Sequence, residues 1–170
     1  MKKLLLSTVL LMACLSNVNA QNGHFKAGAH LGLPVGNLNG GYSFNLGVDV
    51  AYLWKVNNIS ELGITTGFSN YFGRSFSSSY LGYNFDFEYK DVQIIPIAAT
   101  AKFNVVNKFF IGTDIGYAFF LNDEADTGAF YYQPKAGIDI KKSELYVSYK
   151  GMSKDGATIG SINLGFAYNF

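Results

Sequence analysis

INLGFAYNF, residues Ile162 to Phe170, is the stretch from which the rest of this chain is read. Ile162, Leu164, Phe166, Tyr168 and Phe170 take every second position, with Asn163, Gly165, Ala167 and Asn169 between them. A period of two sends alternate side chains to opposite faces of a β-strand. One face is therefore large and apolar, the other small and polar. In water, an apolar strand that stops on an aromatic residue is a liability, because ends fray and exposed edges aggregate. The same strand is stable as the closing stave of a barrel whose outside is lipid.

Working upstream, seven more segments alternate in the same way, which makes eight in all. They run over His24–Leu33, Tyr42–Trp54, Glu61–Phe72, Val92–Val105, Phe109–Leu121, Ala129–Ile140 and Glu144–Lys150. The second is the cleanest: Phe44, Leu46, Val48, Val50, Tyr52 and Trp54 oppose Ser43, Asn45, Gly47, Asp49 and Ala51. An even number of strands near ten residues long, with aromatic residues at their ends, is what a transmembrane barrel requires. Short polar turns (Lys55–Asn58, Val106–Asn107, Lys141–Lys142) alternate with the connections Pro34–Gly41, Gly73–Asp91, Asn122–Gly128 and Ser153–Ala157. The expected fold is all-β, an eight-stranded antiparallel up-and-down transmembrane β-barrel with short periplasmic turns and longer outer loops.

Composition agrees. Charged residues make up 15% of the chain, against roughly 25% in soluble domains. The small residues that alternate with the apolar ones suit a cramped interior better than a solvated exterior. A lipocalin is the soluble alternative, but the first segment lacks a Gly-x-Trp signature, and the sole tryptophan, Trp54, ends the second segment.

The N-terminus reads as an export signal. Lys2 and Lys3 precede an apolar run from Leu4 to Leu15, and Val18-Asn19-Ala20 has the small-residue character of a cleavage site. Residues 1–20 are expected to be a cleaved signal peptide, and residues 21–170 a single barrel domain. The run is too short to be a spanning helix, which needs about 20 apolar residues. A competing reading takes Leu11-Met12-Ala13-Cys14 as a lipoprotein box, with Cys14 lipidated. Cleavage after Ala20 removes the only cysteine, and with it any disulfide or thiolate chemistry. It also leaves 11 bases against 12 acids, a balance that gives no support to nucleic-acid binding.

The closing segment resembles the C-terminal signal of bacterial outer-membrane β-barrels. That resemblance makes Leu164, Phe166, Tyr168 and Phe170 an assembly signal read by the barrel assembly machinery. DVQIIPIAATAKFNVVNKFFIGTDIGYAF, Asp91 to Phe119, has an apolar strand with an internal proline (Pro96), a lysine near its end (Lys102), a short turn and a glycine-punctuated strand. In this the chain resembles the OmpA/OmpX-like outer-membrane β-barrel domain of the "porin family" or PorT-like outer-membrane proteins. The resemblance spans residues 21–170 and implies an architecture and an outer-membrane location, reached through the general secretory pathway. It is weak for activity, because one fold hosts many functions.

Parity points ten polar residues into the lumen: Lys26, His30, Asp49, Glu61, Lys102, Asp114, Lys135, Asp139, Glu144 and Lys150. Five acids and four bases would nearly cancel, as buried charges must. Asp114 and Lys135 are expected to pair across adjacent strands. Eight strands leave just enough lumen for side chains to fill, so the network is read as filling rather than as a gated pathway.

The chain has two histidines, His24 and His30, and neither is expected beside a serine and carboxylate at a lipid-facing rim. No catalytic residue, cofactor or metal ligand is assigned. In the outer loop, Tyr83, Phe85, Phe87 and Tyr89 alternate with Asn84, Asp86, Glu88 and Lys90. With Tyr80 they form either an extended hairpin and part of the interfacial girdle, or a surface that takes a partner by strand addition.

The expected role is structural or surface-interacting, with outer-membrane lipid around the barrel and any surface partner at the Gly73–Asp91 loop. Narrow porin-like permeation of small solutes is the alternative, and a lipid-modifying outer-membrane enzyme a more distant one.

Overall fold

The computed structural model describes residues 23–36, 40–80, 83–106, 108–121, 128–154 and 156–170, with the backbone alone at 76–80 and 83–88. The export signal, its Ala20 boundary and Cys14 lie outside the described residues. So do the side chains of Tyr80, Tyr83, Phe85 and Phe87.

Ten strands follow in chain order: β1 (Gly23–Gly36), β2 (Tyr42–Lys55), β3 (Ser60–Gly73), β4 (Ser75–Tyr80), β5 (Tyr83–Glu88), β6 (Val92–Val106), β7 (Phe109–Phe120), β8 (Gly128–Ile140), β9 (Ser143–Lys154) and β10 (Ala157–Asn169). Eight of them close into an antiparallel barrel in the order β1-β2-β3-β6-β7-β8-β9-β10. The seam is β1 on β10, with Lys26 opposite Asn169, Leu31 opposite Leu164 and Gly36 opposite Ile159. Closure leaves no barrel strand with an unpaired edge, the condition for a sheet to cross a bilayer.

Parity fixes the faces. Along β10, Ile162, Leu164 and Phe166 are each more than half exposed, while Ser161, Asn163 and Ala167 are buried. The exposed set continues around the wall through Leu31, Val48, Ile64, Ile97, Ile115 and Val147. A continuous apolar belt of this kind has no solvent but hydrocarbon. Aromatic pairs flank it. Phe25 with Phe170 and Tyr52 with Trp54 lie toward the end where β1 starts and β10 stops, called the lower end below. Phe44 stacks on Phe72 at 4.5 Å, and Tyr117 meets Phe119, toward the upper end. Among them Tyr52, Trp54 and Tyr117 have the apolar body and polar tip that favour the two interfaces of a bilayer.

Three expectations about the connections are corrected. The long outer stretch does not simply prolong its neighbours: β4 and β5 form a two-stranded sheet of their own, with Ser75 opposite Glu88 and Tyr80 opposite Tyr83. The break falls at Arg74, whose N–H is donated to Gly41 O, while Asp91 Oδ1 accepts the N–H of Gly73. The Arg74–Gly41 contact is the last rung of the β2–β3 ladder, one step past Tyr42 opposite Gly73, and beyond it β4 pairs with β5 alone. Ser153–Ala157 is no long loop either, because β9 and β10 stay paired up to Lys154 opposite Ala157. Beyond that pair Gly156 stands at φ +81°, a conformation that suits glycine. Finally, β1 runs to Gly36, three residues beyond the expected Leu33.

Candidate functional site

Among the described residues the lumen is where this fold gathers chemistry, and it is built from alternate residues of the barrel strands. In its lower half, Glu144 on β9 receives three donors. Lys26 Nζ on β1 reaches Glu144 Oε2 at 3.1 Å, Lys102 Nζ on β6 reaches Oε1 at 2.8 Å, and Asn169 Nδ2 on β10 reaches Oε1 at 3.2 Å. Lys102 also donates to Asp139 Oδ1 at 2.8 Å and lies 4.5 Å from the centroid of the Phe110 ring. Between the strands β7 and β8, Lys135 Nζ donates to both oxygens of Asp114, at 2.7 and 2.9 Å. The two are diagonal rather than directly opposite, since Lys135 faces Gly112 and Asp114 faces Gln133. Ion pairs out of water hold only when nearly every charge is met this way.

Deeper in, Asp49 on β2, His30 on β1, Ser69 on β3 and Lys150 on β9 form one cluster. Asp49 Oδ2 accepts from His30 Nδ1 at 2.7 Å. That turns His30 Nε2 toward Ser69 Oγ at 3.1 Å and Lys150 Nζ at 3.0 Å. Lys150 Nζ also donates to Ser69 Oγ at 3.0 Å and is 3.9 Å from Asp49 Oδ1. Gly47, opposite His30, makes the imidazole's place: a Cβ there would come within 2.5 Å of the ring and of Phe68 O.

The upper half is different in kind. Asn45 Nδ2 donates to Asn163 Oδ1 at 2.9 Å, and Tyr71 OH meets Ser161 Oγ at 3.0 Å. The Tyr131 hydroxyl donates to Gln133 Oε1, and Gln133 Nε2 donates to Ser148 Oγ at 2.8 Å. Above these, Tyr71, Ile94, Ala98, Ala118, Ala129, Tyr131 and Met152 pack as one apolar cluster. An internal cavity of about 20 Å³, touching Asp49, Asp114, Lys135 and Glu144, lies among the charges. That is room for about one water. At the lower mouth a much larger recess of about 460 Å³ opens, lined by His24, Lys55, Glu61, Asn104, Lys141 and Lys142 among others.

No protein-family model and no curated protein sequence matches the chain. Solved structures do. A de novo designed transmembrane β-barrel matches with a TM-score of 0.53 at 11% identity, over 88% of this chain and 98% of its own. The outer-membrane protein OprG of Pseudomonas aeruginosa matches with 0.52 at 9% identity, over 88% and 96%. Yersinia pestis outer-membrane protein Ail, in a phospholipid bilayer nanodisc, matches with 0.51 at 14% identity, over 87% and 99%. The chain is a transmembrane β-barrel of the outer-membrane type. At such identities the likeness is one of fold.

Within this barrel, all ten polar residues assigned to the lumen by parity lie inside the wall, and they fall into separate groups. Lys26, Lys102, Asp139 and Glu144 form one, Asp114 and Lys135 a second, and His30, Asp49 and Lys150 a third. Glu61 stands apart at the mouth, 3.9 Å from His24. The two histidines are not brought together, and among the described residues no cluster of three or more His, Cys, Asp or Glu could hold a metal.

Sequence reading missed Ser69 as the partner of His30, and it missed the large residues of the plug. The signal was present: Tyr71 follows Ser69, Tyr146 follows Glu144 and Met152 follows Lys150, each by two positions on the inward face. The order Asp49–His30–Ser69 has the connectivity of a catalytic triad. Chemically it is shut in, however. His30 and Ser69 are buried, the Lys150 ammonium donates to Ser69 Oγ, and the internal cavity touches neither His30 nor Ser69. A nucleophile needs a place about 3 Å away for the reacting atom.

Of the residues proposed for an outer binding surface, Tyr89 is described in full. It is half exposed and packs against Tyr42, with ring centroids 6.0 Å apart.

Proposed function

We infer that this chain is an occluded outer-membrane barrel whose role is structural or surface-interacting, and neither transport nor catalysis. The single observation that carries this reading is the plug. From Glu144 upward through Lys150 to Tyr131 and Met152, inward side chains touch or hydrogen-bond across the lumen, and the cavity among these described residues is no larger than one water. A hydrated ion needs a continuous path, and the described residues of the plug do not offer one. An enzymatic role lacks a substrate pocket beside His30, the one histidine held by a carboxylate at hydrogen-bonding distance.

The test is single-channel recording. The purified protein in a planar bilayer is expected to leave the current at baseline. Discrete, reproducible steps would restore narrow permeation as the function.

The surface role falls to β4 and β5, which stand apart from the barrel sheet as a separate two-stranded sheet between β3 and β6. An isolated pair of strands leaves edges free for a further strand, the geometry of β-augmentation. Deleting 75–88 should abolish any cell-surface binding while leaving heat-modifiable migration of the barrel unchanged. Loss of the barrel itself would show that the hairpin serves folding instead.

Export through the general secretory pathway, insertion by the barrel assembly machinery and residence in the outer membrane belong to the same reading, with the lower end facing the periplasm. N-terminal sequencing of the membrane-extracted protein is expected to begin at Gln21. A lipidated Cys14 would contradict it.

A further inference from the structure

Charge is distributed along the barrel axis in a way that neither closure nor a filled lumen requires. The lower turns carry Lys55, Lys108, Lys141 and Lys142 and no acidic residue. The upper connections carry Asp86, Glu88, Asp91, Asp123, Glu124, Asp126 and Asp155 against Arg74, Lys90 and Lys154. One end is thus four charges positive and the other four negative. Fields of this size act over about 8–10 Å at physiological salt.

The positive end is also concave. Lys55, Lys141 and Lys142 stand on the rim of the recess of about 460 Å³, and a second recess of about 360 Å³ adjoins it through Lys55, Glu61 and Asn104. Three side-chain oxygens in its lining are buried and make no hydrogen bond: Glu61 Oε2, Asn104 Oδ1 and Asn169 Oδ1. Glu61 is 93% buried, and its contact to His24 Nε2, at 3.9 Å, is too long for a hydrogen bond. Lys102, beside it, is already committed to Asp139 and Glu144. Orphaned acceptors in a recess are costly unless a donor enters from outside.

Floor and rim therefore ask for complementary things: N–H donors below, anionic groups above. We propose that the lower mouth is a binding site for an acidic peptide, whose carboxylates meet Lys55, Lys141 and Lys142 while its amide or amino N–H groups donate to Glu61, Asn104 and Asn169. A phospholipid headgroup fits less well. Lysine reads its phosphate equally, but lipid lies outside the wall, whereas the three orphaned oxygens line the inside. The site goes beyond the plugged-barrel reading and is independent of it, since binding at the mouth needs no open lumen. Only its location in the periplasm rests on that reading.

The test uses the full protein, purified from membranes, in phosphatidylcholine nanodiscs, with tetraglutamate and tetralysine as probes. Tetraglutamate is expected to bind saturably at low salt, to weaken as salt rises, and to shift the amide signals of Lys55, Glu61, Asn104 and Lys142. Tetralysine is expected to leave those signals in place. The double variant Lys141→Glu, Lys142→Glu should weaken binding at least about tenfold, and the upper-end control Lys90→Glu should not. Asn104→Leu, which removes a floor acceptor but no charge, should weaken it severalfold. Should Asn104→Leu bind as the parent does, the built site reduces to a patch of surface lysines and the proposal fails. It fails too if tetraglutamate shifts only upper-end signals or does not saturate, or if phosphatidylglycerol in the disc displaces the peptide completely, which would make lipid the occupant.

Discussion

The two halves of the lumen solve the same problem with opposite chemistry. Above, Tyr71, Ile94, Tyr131 and Met152 exclude water by packing, and their few polar tips pair with Ser, Asn and Gln. Below, the space is held by charges, with Glu144 bridging Lys26 and Lys102, and it widens into a recess open at the mouth. On the proposed reading the upper half is the seal. The lower half keeps ionic groups close to water, where a ligand can reach the outermost of them. The contrast fits the proposed reading of a barrel stoppered from the loop end rather than one filled evenly.

The comparison breaks first at Glu144. Replacing it with alanine strands the buried Lys26 ammonium and leaves Lys102 with Asp139 alone, and breaking a buried pair by removing one partner costs about 3–5 kcal/mol. Urea unfolding of the refolded Glu144→Ala barrel in vesicles should show a loss of that order, and a loss no larger than a surface substitution gives would show that the lower half is already wet. In the seal, Met152→Ala is expected to cost about 2–3 kcal/mol by leaving a cavity, read by the same titration. Its current in a planar bilayer should stay flat, because Tyr71 and Tyr131 remain. Tyr71→Phe removes only the hydroxyl that meets Ser161. About 1 kcal/mol is expected, and a neutral result would mean that the Asn45–Ser161–Asn163 group closes without it.

The smallest effect lies outside the membrane. Hydrogen bonds from Asn70 Nδ2 and the Gly73 N–H hold the Asp91 carboxyl below the ordinary carboxylate range. A depressed folded value means that this anchor contributes stability above the unfolded value and loses it as pH falls through the folded one. The amide signal of Gly73 should therefore stay put across neutral and mildly acidic pH and move only below the usual carboxylate range. Movement within that range would show that the carboxylate is not held.

Much of this was legible in the chain, and the reason is the period of two. Once INLGFAYNF sets one face to lipid, parity alone puts His30, Asp49, Lys102, Glu144 and Lys150 inside. What parity does not carry is register. Ser69 and His30 sit on the strands either side of β2, 39 residues apart, and they meet over Gly47, which lies opposite both. The Asp114–Lys135 pair was within reach because β7 and β8 are consecutive. The plug was overlooked for another reason. Tyr71, Tyr146 and Met152 obey the inward parity but are large, and an interior read as small residues and charges left them no place. The break at Arg74 comes with a bond from the Gly73 N–H to the Asp91 carboxylate that no alternation pattern encodes.

The seal itself is tested most directly by thiol accessibility at two depths. In a Cys14→Ser background, Asn104→Cys places a thiol at the lower mouth and Ser161→Cys one beneath the apolar cluster. A charged, water-soluble maleimide is expected to label the first readily and to leave the second untouched until denaturant is added. Labelling of Cys at position 161 in the folded barrel, at a rate near that of position 104, would show a lumen open along its length and would contradict the account.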